Sequence, residues 1–316
     1  IGVRKAYREG AGNTADINLI LIAMLNAAGI ETNPVLVSTR NHGVPFFPTI
    51  DGFNYVIASV NLPNGYLLLD ATEFYSMPNV LPLRALNWKG RLIKKDKTSN
   101  WLDLISNTHS VEDNLMSIKI TEDFSIDGRL RTTYKNLDAL SFRSNNNHLK
   151  EDGVITSLED KLGVEIENYK VVNKREIYKP AIRNIAFTGE DFIEVISGKV
   201  YISPLLFLTT NVNPFKLEER KFPVDFGAPF KNKNSVFIQI PEGYKVESIP
   251  ESSTVGSRDN IGIYGYKVVV SGNKINIISQ TQINRGLVAP EYYQELKEFY
   301  NRLVKKQTEK IVLIKE

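Results

Sequence analysis

Cysteine is absent from all 316 residues, which excludes disulfides, thiolate nucleophiles and cysteine-held metals together. Only three histidines occur, His42, His109 and His148, too widely spread for metal-ligand spacing, so no metal site and no cofactor is expected. No apolar run reaches the roughly 18 residues of a membrane span; the longest, around 19–28, is interrupted by Asn26 and patterned as a helix. An excess of one charge is missing as well. The 39 basic and 36 acidic residues leave a net +3, without the basic stripe and interleaved aromatics that would point to nucleic acid. The densest basic stretch, 91–97, reads as a solvated linker.

What is present suits a folded chain. The composition is 42% hydrophobic and 24% charged, a balance that disordered and fibrous sequences do not have. The length suits about two domains of roughly 150 residues. Residues 14–29 give the clearest helix: Thr14 is a plausible cap, Asp16 sits in the first turn where the helix dipole favours an anion, and Gly29 fits the position just past the end. Its apolar residues surround the axis, so it is expected to be nearly buried. The runs 35–39, 53–60 and 66–70 read as strands, the last two joined as a hairpin by Pro63-Asn64-Gly65.

From about residue 110 the texture changes to many short strands with turn signals between them, the pattern of an antiparallel β-sandwich. Helices are expected near 138–162 and 290–307, the second opening at Pro290, and 310–315 reads as a terminal strand. The boundary is drawn between 1–100 and 101–316. The chain begins at Ile1 and enters its first motif at once, which reads as a fragment of a longer precursor.

The segment Gly12 to Ile30, with 34–40, Phe53-Asn54-Tyr55-Val56 and Leu69-Asp70-Ala71-Thr72, resembles the core of the transglutaminase-like superfamily. It is similar in particular to large uncharacterised bacterial proteins in which that core lies between β-sandwich domains. The remainder fits the companion domain through 222–224, 240–246 and the closing helix and strand. The resemblance implies an α+β fold: a partial transglutaminase-like (papain-like) core, then an antiparallel β-sandwich with helical insertions. It also implies an extracytoplasmic location, periplasm or cell surface.

In that superfamily a cysteine opens the helix, a histidine follows on a strand and an aspartate ends the next strand. The helix terminus helps make a thiolate, the imidazole carries its proton, and the carboxylate orients the imidazole. Here Thr14 stands at the cysteine position, Tyr55 at the histidine and Asp70 at the aspartate. A hydroxyl needs a strong base to act as a nucleophile, and a phenol with an ordinary pKa of about 10 is a poor one.

The expectation is therefore an inactive homologue, a noncatalytic binding or scaffolding protein whose ligand is a peptide, glycan or protein. The N-terminal domain of the same precursor is a further expected partner. The alternative is a hydrolase or acyltransferase that uses Thr14 or a residue of the missing segment.

Asp16, Arg40, His42 and Asn54 are candidate cleft-lining residues. His42 is the first domain's one imidazole and so the single residue able to restore a base. Thr14 is read as a cap. Tyr55 is expected to hydrogen-bond Asp70, because a buried carboxylate without a donor is costly. The segment Pro45-Phe46-Phe47-Pro48 is read as rings tucked under the neighbouring domain, or as a recognition patch. Tyr264, Tyr266, Tyr292 and Tyr293 are read as core, with a sugar-stacking platform as the alternative.

Overall fold

The computed structural model describes residues 2–316. Helices α1 (Val3–Glu9) and α2 (Thr14–Ala27) precede β1 (Thr32–Val37), β2 (Tyr55–Leu62), β3 (Gly65–Leu69), β4 (Lys89–Ile93) and β5 (Ser99–Asp103). These strands form one antiparallel sheet in the order β3-β2-β1-β4-β5.

The polypeptide continues through β6 (Ser110–Ile120), β7 (Ile126–Lys135), α3 (Leu137–Asn146), α4 (Glu151–Leu162), β8 (Glu165–Val172), β9 (Ala181–Gly189), β10 (Ile193–Ile196) and β11 (Lys199–Ile202). After these come β12 (Val224–Asp225), β13 (Phe230–Gln239), β14 (Tyr244–Ser248), β15 (Ser253–Gly256), β16 (Gly262–Ser271), β17 (Lys274–Ile283), β18 (Leu287–Val288), α5 (Tyr293–Gln307) and β19 (Ile311–Lys315). An eight-stranded sheet has the order β15-β16-β17-β13-β6-β7-β9-β8, and a four-stranded sheet the order β10-β11-β19-β14. The fold is mixed helix and sheet with strand dominant, in keeping with the α+β class.

The first sheet is fixed by local chemistry. Pro63 and Asn64 close the β2–β3 hairpin with Leu62 opposite Gly65. Gly29, at φ +78°, ends α2: its N–H bonds the Asn26 carbonyl at 3.0 Å, and Ile30 N–H bonds the Leu25 carbonyl at 2.9 Å. Only a residue at ease in the left-handed region fits there. Val35, Val37, Tyr55, Ile57 and Leu92 line one face and pack with Leu81, Ala85, Leu86 and Leu104.

In the large sheet, alternate residues point to one buried face. Met116, Ile118, Leu130, Phe187, Val236, Ile238, Tyr264, Tyr266 and Ile277 meet Val200, Ile202, Ile311 and Leu313 of the four-stranded sheet and Leu296, Phe299 and Leu303 of α5. Gly128 is required by this packing, since a Cβ there would lie 2.3 Å from the Phe187 ring.

Four expectations are corrected. The large sheet is not wholly antiparallel: β6 and β13 run parallel from Ser110 opposite Phe230 to Lys119 opposite Gln239. More than a hundred residues separate them, enough for the crossover a parallel pair needs. Residues 91–97 are no linker, because Arg91 and Ile93 lie on β4 and the following turn leads into β5, which runs past the 100/101 boundary to Asp103. Helix α2 is not nearly buried. It lies on the first sheet with Asp16, Asn18 and Ile22 turned inward and Met24 60% exposed. Its cap is Asn13 rather than Thr14.

Among the described residues no helix is long and apolar enough to cross a membrane, and no group of three or more His, Asp or Glu is placed to hold a metal.

Candidate functional site

The three positions singled out by the motif fall on the same elements that the hairpin and α2 bring together. Thr14 is the first residue of α2, Tyr55 the first of β2, and Asp70 follows β3. Asn13 closes the helix terminus: its Oδ1 accepts from Asp16 N–H at 2.8 Å, and Asp16 Oδ2 accepts from Asn13 N–H at 3.2 Å. Asp16 also accepts from Gly2 N–H at 3.2 Å. These bonds place Asp16 in the capping of the helix start. The half-buried Thr14 hydroxyl makes no hydrogen bond among the described residues.

Asp70 is the best-anchored group of the site. Its side chain is fully buried. Oδ2 accepts from Tyr55 Oη at 2.7 Å, and Oδ1 accepts from Asn18 Nδ2 at 3.0 Å, Thr72 N–H at 3.0 Å and Thr72 Oγ1 at 2.6 Å. The expected hydrogen bond between Tyr55 and Asp70 is thus present. Arg84, from a 3₁₀ turn at Leu83–Ala85, donates Nε to Tyr55 Oη at 3.1 Å and Nη1 to Glu73 Oε2 at 3.0 Å. Burial first, and then the Asp70 carboxylate, pushes the Tyr55 phenol up to about 12 against the opposing hydrogen bonds from Thr72 and Arg84. A phenol held neutral this firmly does not accept protons near neutral pH.

Asn18 and Arg84 were missed in the sequence. Asn18, fully buried four residues after Thr14, ties α2 to the sheet by donating to the Val56 carbonyl at 2.8 Å and accepting from Ala71 N–H at 2.8 Å. A lone asparagine inside an apolar helical run was the available signal. Arg84 had none, because no pattern links a residue of a 3₁₀ turn to a tyrosine 29 positions earlier.

His42 does not approach Thr14 by any hydrogen bond among the described residues. Its Nδ1 lies 3.0 Å from Ser38 Oγ, and that hydroxyl donates to the Gly43 carbonyl at 2.8 Å. Asn87 closes the same loop by donating to the Ser38 and Gly43 carbonyls at 2.9 and 2.8 Å. With Ser38 1% exposed and its proton committed to a backbone oxygen, the Ser38–His42 contact is a loop staple.

Arg40 lies in the loop after β1. It donates to the Leu83 and Leu86 carbonyls at 3.0 and 2.8 Å and pairs with Asp225 on β12 at 2.7 Å, joining the first sheet to the β-rich part. Asn54 fastens Thr39 through its N–H and its hydroxyl, both at 2.9 Å.

Two cavities open here. One of about 520 Å³ is lined by Ala15, Leu36, Phe53, Asn54, Tyr55 and Arg91, among others. The second, of about 430 Å³, is lined by Ser38, His42 and the segment from Gly43 to Phe47. Phe46 and Phe47 are 71% and 76% exposed, so they are not tucked under a neighbour. Tyr264, Tyr266 and Tyr293 are core, each at most 2% exposed.

Residues 198–313 match the family DUF3858, a domain of unknown function with a solved structure. That stretch runs from the β10–β11 turn into β19, well under half of the chain. The whole chain is also similar to the 2.00 Å crystal structure of a "putative protease" from Parabacteroides distasonis ATCC 8503. The TM-score is 0.50 and the identity 11%, over 98% of this chain and 45% of that one. At that identity the likeness concerns the fold alone. The chain spans a little under half the length of that protein. No curated protein matches.

Proposed function

We propose that this chain is a noncatalytic binding or scaffolding protein, built on a degenerate transglutaminase-like (papain-like) core packed against a β-sandwich companion, and working outside the cytoplasm at the periplasm or cell surface. The observation that carries the reading is the Tyr55–Asp70 contact. At the position where the superfamily keeps an imidazole, a neutral phenol fills the hydrogen bond to the buried carboxylate and holds its proton up to about pH 12. A hydroxyl at Thr14 then has no base to activate it.

The protease description of the structural neighbour supplies the rival reading, a hydrolase or acyltransferase acting through Thr14. The contact nearest to a nucleophile–base pair is Ser38 with His42, and its hydroxyl proton is already given to Gly43. Incubation with an amine donor and a glutamine-containing peptide, followed by mass spectrometry of both, should yield neither conjugate nor cleavage; turnover abolished by Thr14→Ala would overturn the proposal.

The degenerate-core part has its own test. Combining T14C with Y55H should make the new thiol alkylate with iodoacetamide near pH 6 faster than in T14C alone, because an imidazole beside Asp70 would lower its pKa. Equal rates would mean that the two positions do not face each other.

A further inference from the structure

One edge of the first sheet carries an aromatic run outside any core. Phe46 lies 5.8 Å from Trp88, Trp88 6.4 Å from Trp101 and Trp101 6.2 Å from Phe53, measured between ring centroids. The interplanar angles of 55°, 41° and 44° make this a stepped surface rather than a flat one. Rings tilted in this way leave clefts between them that suit the side chains of a peptide.

The 520 Å³ cavity lies beside this run. Its walls are largely apolar, with Leu36, Val56, Ile93, Pro48 and Phe53, and the single charged side chain among its lining residues is Arg91. Arg91 sits opposite Trp101 across the β4–β5 pair, its guanidinium carbon 5.1 Å from the Trp101 ring centroid, and its Nε donates to Ser99 Oγ at 3.0 Å. These contacts fix the plane of the guanidinium while the two terminal nitrogens have no partner among the described residues. Arg40, in the loop after β1, and Arg84, in the 3₁₀ turn, both have carboxylate partners. A half-buried guanidinium held by its inner nitrogen and by ring stacking presents a fork suited to one carboxylate. One cation in an apolar wall matches a single negative charge better than a phosphate.

We propose that this cavity binds a peptide through a carboxylate docked on Arg91, with a neighbouring apolar side chain seated on Leu36, Val56, Ile93 and Phe53. The proposal deepens the noncatalytic binding reading and rests on it. The carboxylate has two possible sources, an acidic side chain or a chain terminus.

The protein's two tryptophans both belong to the aromatic run, so Trp88→Phe leaves Trp101 as the sole tryptophan reporter. This variant is titrated with acetyl-Leu-Glu-Phe-amide, acetyl-Leu-Gln-Phe with a free C-terminus, and the neutral acetyl-Leu-Gln-Phe-amide. At least one carboxylate peptide should bind about tenfold or more tighter than the neutral one, as a charge-assisted hydrogen bond implies, and which one does identifies the source. Arg91→Gln should erase the preference. Arg91→Lys, which keeps the charge and loses the fork, should retain only part of it, with circular dichroism checking that both variants are folded. Equal binding of all three peptides, binding of none, or a preference that survives Arg91→Gln overturns the proposal and leaves the noncatalytic reading intact. That reading falls separately, if glutamine-peptide turnover depends on Thr14.

Discussion

Replacing Tyr55 with phenylalanine removes one oxygen from a buried site and almost no volume. The ring stays in the cluster with Val37, Ile57 and Leu81, so no cavity opens and the change isolates the hydrogen bonds. Asp70 Oδ1 keeps its three donors. Oδ2 loses the phenol and is left with Arg84 Nη2 at 4.0 Å. A hydrogen bond to a buried charged group contributes about 1.5–3 kcal/mol, and the half-exposed Arg84 can recover part of it by moving onto Oδ2, so a loss of about 2 kcal/mol is expected. The assay is urea unfolding at pH 7 followed by circular dichroism, where the midpoint falls and the slope is unchanged. Combined with Asp70→Asn, the double-mutant cycle should show a coupling of about 1–2 kcal/mol. A loss below about 0.5 kcal/mol, or strict additivity, would refute the claim that the phenol satisfies this carboxylate.

Asn13→Ala should cost about 1 kcal/mol as the loss of a cap, whereas Thr14→Ala should stay within about 0.5 kcal/mol; the reverse order in urea midpoints would restore Thr14 as the cap. Arg143 is 2% exposed and its Nη2 donates to the carbonyls of Asn173, Glu176 and Lys179 at 3.1, 3.0 and 2.7 Å. Arg143→Met should therefore cost about 3 kcal/mol or more and open segment 173–180 to limited proteolysis, and an unchanged digest would count against it. Burial pushes Tyr55, Tyr134, Tyr264 and Tyr300 each up to about 12. Their folded-state pKa values lie above the unfolded value of about 10, so the stability they contribute is fully present below pH 10 and is lost as pH rises from 10 through 12. The urea midpoint should hold flat to about pH 9.5 and then fall; a midpoint constant through pH 11 would refute the assignment.

What was legible in the sequence was local. Gly29 stops α2 and Pro63-Asn64-Gly65 turns the hairpin because each acts on neighbouring backbone, and α5 shows its apolar stripe openly. The cap was misplaced by one residue: Asn13 and Thr14 are both good caps, and the pairing of Asn13 with Asp16, three positions on, decides between them. Strands β4 and β5 were hidden by charge, since the alternation of Gly90 and Leu92 with Arg91 and Ile93 is short and runs into Lys94, Lys95 and Lys97. The parallel pairing of β6 with β13 is a long-range choice with no local signature. Of the motif positions, Tyr55 and Asp70 meet in the expected hydrogen bond, while Asn18 and Arg84 emerge only when chain segments distant in sequence converge on one carboxylate.

That convergence gives Asp70 a mechanical role independent of any chemistry. Asn18 brings α2 to it, Tyr55 brings β2, Thr72 the segment after β3, and Arg84 the 3₁₀ turn. Glu73 carries the connection outward, accepting from Arg84 on one oxygen and from Ser144 of α3 at 2.8 Å on the other, so the network reaches the β-rich part of the chain. A proton relay requires a group that releases and regains its proton during each cycle, and such a group holds its partners less firmly in one of its two states. A phenol that stays protonated has a single state and keeps the same hydrogen bonds throughout. On the proposed reading, tyrosine at position 55 turns a relay position into a permanent fastening between helix, sheet and neighbouring module. A protein whose task is to hold a ligand in a fixed cleft benefits from that exchange.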